Sequence, residues 1–211
     1  NKNIELEFFG MTEKDRDELN FLLPGQFNIE ETRDFFDYVY KSEDLANLVG
    51  RKYHSKKNHI SYFEKNFDWK YEPINENNIE QCLLLNTHWE GLNLQKNPEE
   101  ISDESLAIKK ALTHYFDLDY EGGVLTIQDE IVAFTFGERL NNNTFCTHVE
   151  KAYGNIRGAY QMINREFARQ LQDRYEFINR EEDTGSEGLR RAKLSYQPHK
   201  LVIKYSAIYK G

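Results

Sequence analysis

The sequence predicts an α/β (α+β) protein built on a mixed β-sheet flanked by helices. Three observations predict it. Hydrophobic residues fill 39% of the 211 positions and aromatic residues 14%, enough for a packed core. Four prolines and twelve glycines are too few for a disordered or fibrous chain. Between residues 69 and 209 the hydrophobic spacing switches between strand and helix periods in the order β-α-α-β-β-β-α-β-α-β. A three-stranded meander followed by two helix–strand units makes such a sheet, with helices on both faces.

Ile4 to Phe9 reads as the first strand. Thr12 caps a helix over 12–22 with Glu13 and Asp15 in its first turn, and Pro24-Gly25 ends it. Gln26 to Tyr40 is extended. Within it, 34–40 sets Phe35, Asp37 and Val39 on one face and Phe36, Tyr38 and Tyr40 on the other. Both faces are mostly apolar, as in a strand interior to a sheet. A short capped helix covers Ser42 to Leu48. The most basic stretch, Arg51 to His59, follows, and Ile60, Phe63 and Phe67 keep helical spacing after it, which puts the charges on a solvated face.

Trp69 to Ile74 is a strand, and Asn77 to Trp89 a helix burying Ile79, Cys82, Leu83 and Trp89. A polar loop with Pro98 leads to a helix capped at Ser102 and backed by Asp103 and Glu104, with a core stripe of Ile108, Ala111, Leu112 and Tyr115. Strands 123–128 and 131–140 form a hairpin turning at Asp129-Glu130, and Asn141-Asn142-Asn143 turns into the strand Thr144 to Glu150. The loop 152–158 opens a helix with the stripe Ala159, Met162, Ile163, Phe167 and Leu171. Tyr175 to Asn179 is a short strand, Glu187 to Tyr196 a helix, and Lys200 to Tyr209 one closing strand.

The net charge of −9 and a pI near 5.3 oppose a general electrostatic grip on nucleic acid, so DNA is not expected as a partner. A local basic patch is compatible with that balance. No stretch approaches the ~18–20 apolar residues of a membrane span, and no leader pattern opens the chain. Cys82 and Cys146 form no CxxC, so neither a zinc site nor a disulfide framework is suggested, and a reducing cytoplasm is the expected location.

Several side chains carry chemistry. His148 and Glu150 lie two apart on a strand, hence on one face, where they can take a proton from an acceptor amine directly or through water. A hydrogen-bonded surface pair is the other reading. Asn179 and Arg180 follow a strand end, where sites collect in such sheets, and Arg180 can clamp a carboxylate or phosphate. Arg190, Arg191 and Lys193 add charge nearby. Glu181, Glu182 and Asp183 read as a solvated loop, with nothing to fix the geometry of a metal site. Tyr196 ends a helix and either gives a proton to a leaving group or packs. Arg51, Lys52, Lys56 and Lys57 either contact the phosphates of a tRNA or an anionic headgroup, or form the solvated face of a connecting helix.

The element order resembles the GNAT acyltransferase fold. Three segments sharpen the match: residues 50–60 (GRKYHSKKNHI), 132–139 (VAFTFGER) and 178–196 (INREEDTGSEGLRRAKLSY). Through them nearly the whole chain resembles bacterial proteins of the phosphatidylglycerol lysyltransferase C-terminal-domain family. The resemblance implies two GNAT-like halves in tandem. Residues 1–50 are then the trailing part of a first half that lacks an upstream segment, 51–68 a basic connecting helix and 69–211 a complete second half.

It also implies a site. The strands 144–150 and 175–179 diverge, the donor carbonyl enters the gap, and a backbone N–H stabilises the oxyanion without a covalent intermediate. The donor's anionic part rests on the turn before the next helix, at Asn155, Arg157, Gly158 and Ala159. That turn departs from the acetyl-CoA fingerprint Gln/Arg-x-x-Gly-x-Gly/Ala. With Gly158 on the required glycine, Asn155 takes the first place and Tyr160 the last, where its bulk crowds the phosphate. An ordinary glycine-containing helix start is the other reading.

The function expected is therefore an acyl- or aminoacyl-transferase, with acyl-CoA or aminoacyl-tRNA as donor. The family's name implies a lipid acceptor; with no membrane span in the sequence, a small molecule or peptide carrying an amine or hydroxyl is the acceptor expected here. The competing function is a GNAT-like ligand-binding module without transfer chemistry.

Overall fold

Capping chemistry sets the first elements of the computed structural model, which describes residues 6–93 and 98–211. Strand β1 (Glu7–Met11) passes to helix α1 (Glu13–Leu22) through Thr12. The Thr12 hydroxyl accepts from the Asp15 N–H, and the Asp15 carboxylate accepts from the Thr12 N–H at 2.8 Å, a reciprocal box that satisfies two orphan donors. Strand β2 (Phe27–Glu31) follows. The strand expected over 34–40 begins later, because Arg33–Phe35 wind into a 3-10 turn before β3 (Asp37–Lys41). Helix α2 (Ser42–Asn47) and α3 (His54–Asn66) come next, α3 burying Ile60 and Phe63 as its spacing predicts.

Strand β4 (Trp69–Pro73) precedes helices α4 (Ile79–Asn93) and α5 (Pro98–Thr113). Ser102, expected as the cap of α5, lies inside it. The helix starts at Pro98, where a missing N–H costs nothing and φ is already helical. Strands β5 (Glu121–Ile127) and β6 (Glu130–Arg139) turn at Gln128-Asp129, one residue before the expected Asp129-Glu130. Both turn residues have positive φ, 53° and 65°, the primed geometry whose twist matches that of the strands. Strand β7 (Thr144–Ala152), helix α6 (Ala159–Leu171), β8 (Phe177–Asn179) and α7 (Glu187–Leu194) follow. The expected closing strand is two, β9 (Lys200–Val202) and β10 (Tyr205–Tyr209). The chain leaves the strand at Ile203 and Lys204, whose carbonyl accepts from the Thr32 N–H.

The chain forms two compact units, residues 1–40 with 179–211, and residues 41–178. In the unit 41–178 the strands lie in the order β4-β5-β6-β7-β8. The first four are an antiparallel meander, and β8 lies next to β7, the helix α6 connecting the two. On one face α4 and α5 bury Cys82, Leu85, Ile108 and Leu112 against Phe134 and Phe136. On the other, every residue of the predicted α6 stripe is buried, and the Phe145 ring packs 5.5 Å from Phe167 and 5.4 Å from Tyr175. The sheet thus lies between helices, as the sequence predicts.

In the other unit β10 lies between β1 and β2, all antiparallel, over a core of Met11, Phe27, Tyr205 and Ala207 with Leu19 of α1. Strand β9 pairs antiparallel with β3. The loop after β8 is fixed from within. Asp183, expected in a solvated loop, is fully buried and accepts from Tyr38 Oη at 2.5 Å, from Arg190 Nε at 2.9 Å and from the Gly185 N–H at 3.0 Å, with Arg33 at 3.3 Å. Burial alone raises a carboxyl; here the hydrogen bonds from Arg190 and Tyr38 outweigh it and hold Asp183 well below the usual carboxylate range.

A depressed folded pKa gives stability that is complete above the unfolded value and lost as pH falls. Replacing Asp183→Asn is expected to cost about 2–3 kcal/mol at neutral pH. In urea unfolding across a pH series, the gap between parent and variant should begin to narrow below about pH 4 and keep narrowing as pH falls toward the depressed folded value.

Candidate functional site

The ladder between β6 and β7 holds one irregularity. Gly137 faces Thr147 and Phe136 faces Val149, so His148 is an extra residue, a β-bulge. Glycine is required on the facing strand: a Cβ on Gly137 would lie 1.8 Å from the Cys146 carbonyl oxygen. The bulge changes which side chains share a face. His148 approaches Tyr120, ring centroids 6.0 Å apart, on the side of α4 and α5, and its Nε2 lies 3.1 Å from Glu138 Oε1. Glu138 pairs directly with Cys146 across the ladder, and Cys146 Sγ lies 3.9 Å from His148 Nδ1.

Glu150 turns to the opposite side, where the Asn164 amide of α6 donates to its Oε2 at 3.1 Å. The expected His148–Glu150 face is therefore split, because strict alternation fails at a bulge. Lys151 points back toward α4 and α5, its Nζ 3.2 Å from the Trp89 ring centroid and 2.8 Å from Glu104 Oε1. Burial pulls the Lys151 ammonium below its usual value against the pull of Glu104.

Before α6, Asn155 and Arg157 are exposed while Gly158 and Ala159 are buried. Gly158 caps the helix at φ +94°, and a Cβ there would lie 2.5 Å from the His59 carbonyl oxygen of α3. Its bareness thus serves the close approach of two helices. Arg165 Nη2 ties the same helices through Glu64 at 2.7 Å. Tyr160 receives the Trp89 indole N–H at 3.3 Å. Arg157 stacks over Tyr62 of α3 at 4.4 Å, and Arg51, Lys52 and Lys57 are exposed along the same segment, with Lys56 half-buried. Lys52 also lies 3.8 Å from Asp44.

In the unit of residues 1–40 and 179–211, Asn179 is buried, donates to Asp37 at 3.1 Å and accepts the Glu181 N–H at 2.8 Å. The Arg180 guanidinium lies 5.8 Å from the Tyr40 ring and 5.2 Å from that of Tyr196. Tyr196 falls beyond α7 and is buried. The Lys193 ammonium donates to the carbonyls of Arg180 at 2.5 Å, Glu181 at 3.1 Å and Glu182. Sequence reading missed Lys193 as this organiser, and missed Glu138 and Cys146 as the partners of His148.

Residues 1–208 match the profile of the family described as phosphatidylglycerol lysyltransferase, C-terminal. A solved conserved protein of unknown function from Bacteroides thetaiotaomicron is 42% identical, with a TM-score of 0.89 over 98% of this chain and 70% of that one. L-PGS from Bacillus licheniformis shares the fold at 14% identity, with a TM-score of 0.68 over 100% of this chain and 69% of its own. An uncharacterized protein of Mycoplasmoides gallisepticum is 26% identical over 174 residues, 80% of this chain and 54% of the relative. The chain spans about half the length of that curated relative.

The bulge makes a direct prediction. Gly137→Ala should lower stability by about 1–3 kcal/mol in urea unfolding, the cost of forcing a methyl into a filled ladder. A loss within error of zero would mean that Cys146 can retreat from the new side chain.

Proposed function

The chain belongs to the phosphatidylglycerol lysyltransferase C-terminal family, and from that membership we propose that it is an acyl- or aminoacyl-transferase acting on an amine or hydroxyl acceptor. The observation that carries this reading is the bulge in β7. It sets His148, a group able to take a proton, beside Glu138 on the strand that β8 neighbours. His148 is the base. In this reading the imidazole, oriented by Glu138, takes the proton released when the acceptor attacks the donor's ester carbonyl. Glu150, bonded to Asn164, serves to fix α6 against β7 in this reading.

Two features favour aminoacyl-tRNA over acyl-CoA as donor. The space beside Gly158, which a pyrophosphate would need, is filled by α3, and Tyr160 is engaged by Trp89. The exposed Arg51, Lys52 and Lys57, with Arg157 stacked on Tyr62, instead suit a phosphate backbone. The acceptor is a small molecule or peptide with an amine or hydroxyl. Among the described residues no helix is long and apolar enough to cross a membrane.

The test is loss of radiolabelled amino acid from charged tRNAs into an amine acceptor pool, run beside consumption of acyl-CoA. Protein-dependent transfer from tRNA supports the reading; inertness toward every charged tRNA, with no tRNA binding, contradicts it. Lys57→Ala with Arg157→Ala should weaken tRNA binding and reduce the log–log salt slope by about 0.7–0.9 per contact removed. An unchanged slope in filter binding would place the tRNA elsewhere.

A further inference from the structure

Cys146, His148 and Glu138 stand in the order of a nucleophile, its base and the group that orients the base. The thiol lies 3.9 Å from Nδ1, and the far nitrogen of the same ring lies 3.1 Å from the carboxylate. With Nε2–H donated to Glu138, Nδ1 is the acceptor that faces the S–H. Backbone pairing holds the three together: Glu138 is directly opposite Cys146 in the ladder, and the bulge brings His148 to both. The second cysteine offers a contrast. Both thiols are buried, but Cys82 meets the Asn78 carbonyl among its described contacts and burial pushes it up to about 12. A thiol beside an oriented imidazole is instead activated.

We propose that Cys146 is a nucleophile that accepts acyl groups from activated esters as a thioester, with His148 as its base and Glu138 as the positioning residue. The step balances without a redox partner. The S–H proton passes to Nδ1, the thiolate attacks the ester carbonyl, the carbonyl C–O bond breaks, and the leaving oxygen takes the proton back from the imidazole. An amine then attacks the thioester, its proton goes to His148, and the C–S bond breaks to return the thiolate. The natural donor in this scheme rests on the transferase reading; the reactivity of the thiol does not.

The experiment uses p-nitrophenyl acetate with the full chain and no tRNA, read by intact mass and peptide mapping. One acetyl group is expected on Cys146 and none on Cys82. Cys146→Ala should abolish it, and His148→Ala should slow it at least about tenfold. Glu138→Gln should slow it less, with an unchanged unfolding midpoint. Should His148→Ala fail to fold, the pH profile of iodoacetamide alkylation in the unaltered protein decides: Cys146 must react well below the pH at which an ordinary thiol ionises. Equal inertness of both cysteines, or an acylation rate indifferent to His148, overturns the proposal. A protein that moves amino acids from tRNA after Cys146→Ala refutes the thioester route and leaves the transferase reading intact. A reactive Cys146 without transfer from any charged tRNA does the reverse.

Discussion

Between Thr147 and Val149 the ladder of β6 and β7 takes up one extra residue, and the face on which each later side chain of β7 sits follows from it. Without the insertion, His148 and Glu150 would look the same way. With it, His148 meets Glu138 and Cys146, while Glu150 meets Asn164 and Lys151 meets Trp89 and Glu104. The insertion is possible because Gly137 has no side chain to strike the Cys146 carbonyl. A single glycine thus permits the grouping of these titratable side chains.

The helices around that sheet are packed in ways that limit what they can bind. Gly158 lies where sequence analogy expects a phosphate-binding glycine, yet its open side is used by the α3 backbone. Close helix approach and anion binding ask for the same residue, so the glycine alone does not distinguish them. What does distinguish them is the neighbouring charge: an exposed basic segment leading into α3 and an arginine laid across Tyr62 of that helix. In the other unit, charge does structural work. Asp183 and Lys193 are bonded several times over inside the loop after β8, and Glu181, at positive φ there, has its carbonyl held by Lys193.

Much of the fold was legible because its signals are periodic and local. The α6 stripe, the Thr12 cap and the meander all follow from spacing and capping chemistry. The register over Asn141-Asn142-Asn143 also sets Glu138 opposite Cys146. The failures have a common cause, non-local backbone geometry. Period-two counting has no term for an extra residue, so the His148–Glu150 face was misjudged. The chain's departure at Ile203 and Lys204 depends on a bond to Thr32, and the burial of Asp183 depends on Arg33 and Tyr38, about 145–150 residues away. Nothing within a local window marks those partnerships.

The bulge sets the Nε2 of His148 toward Glu138 and its Nδ1 toward the Cys146 thiol. Nitrogen-15 NMR of the imidazole tests it most directly. Neutral His148 should be the Nε2–H tautomer, with its ring signals shifted in Glu138→Gln and in Cys146→Ala. A dominant Nδ1–H tautomer, insensitive to both substitutions, would contradict it.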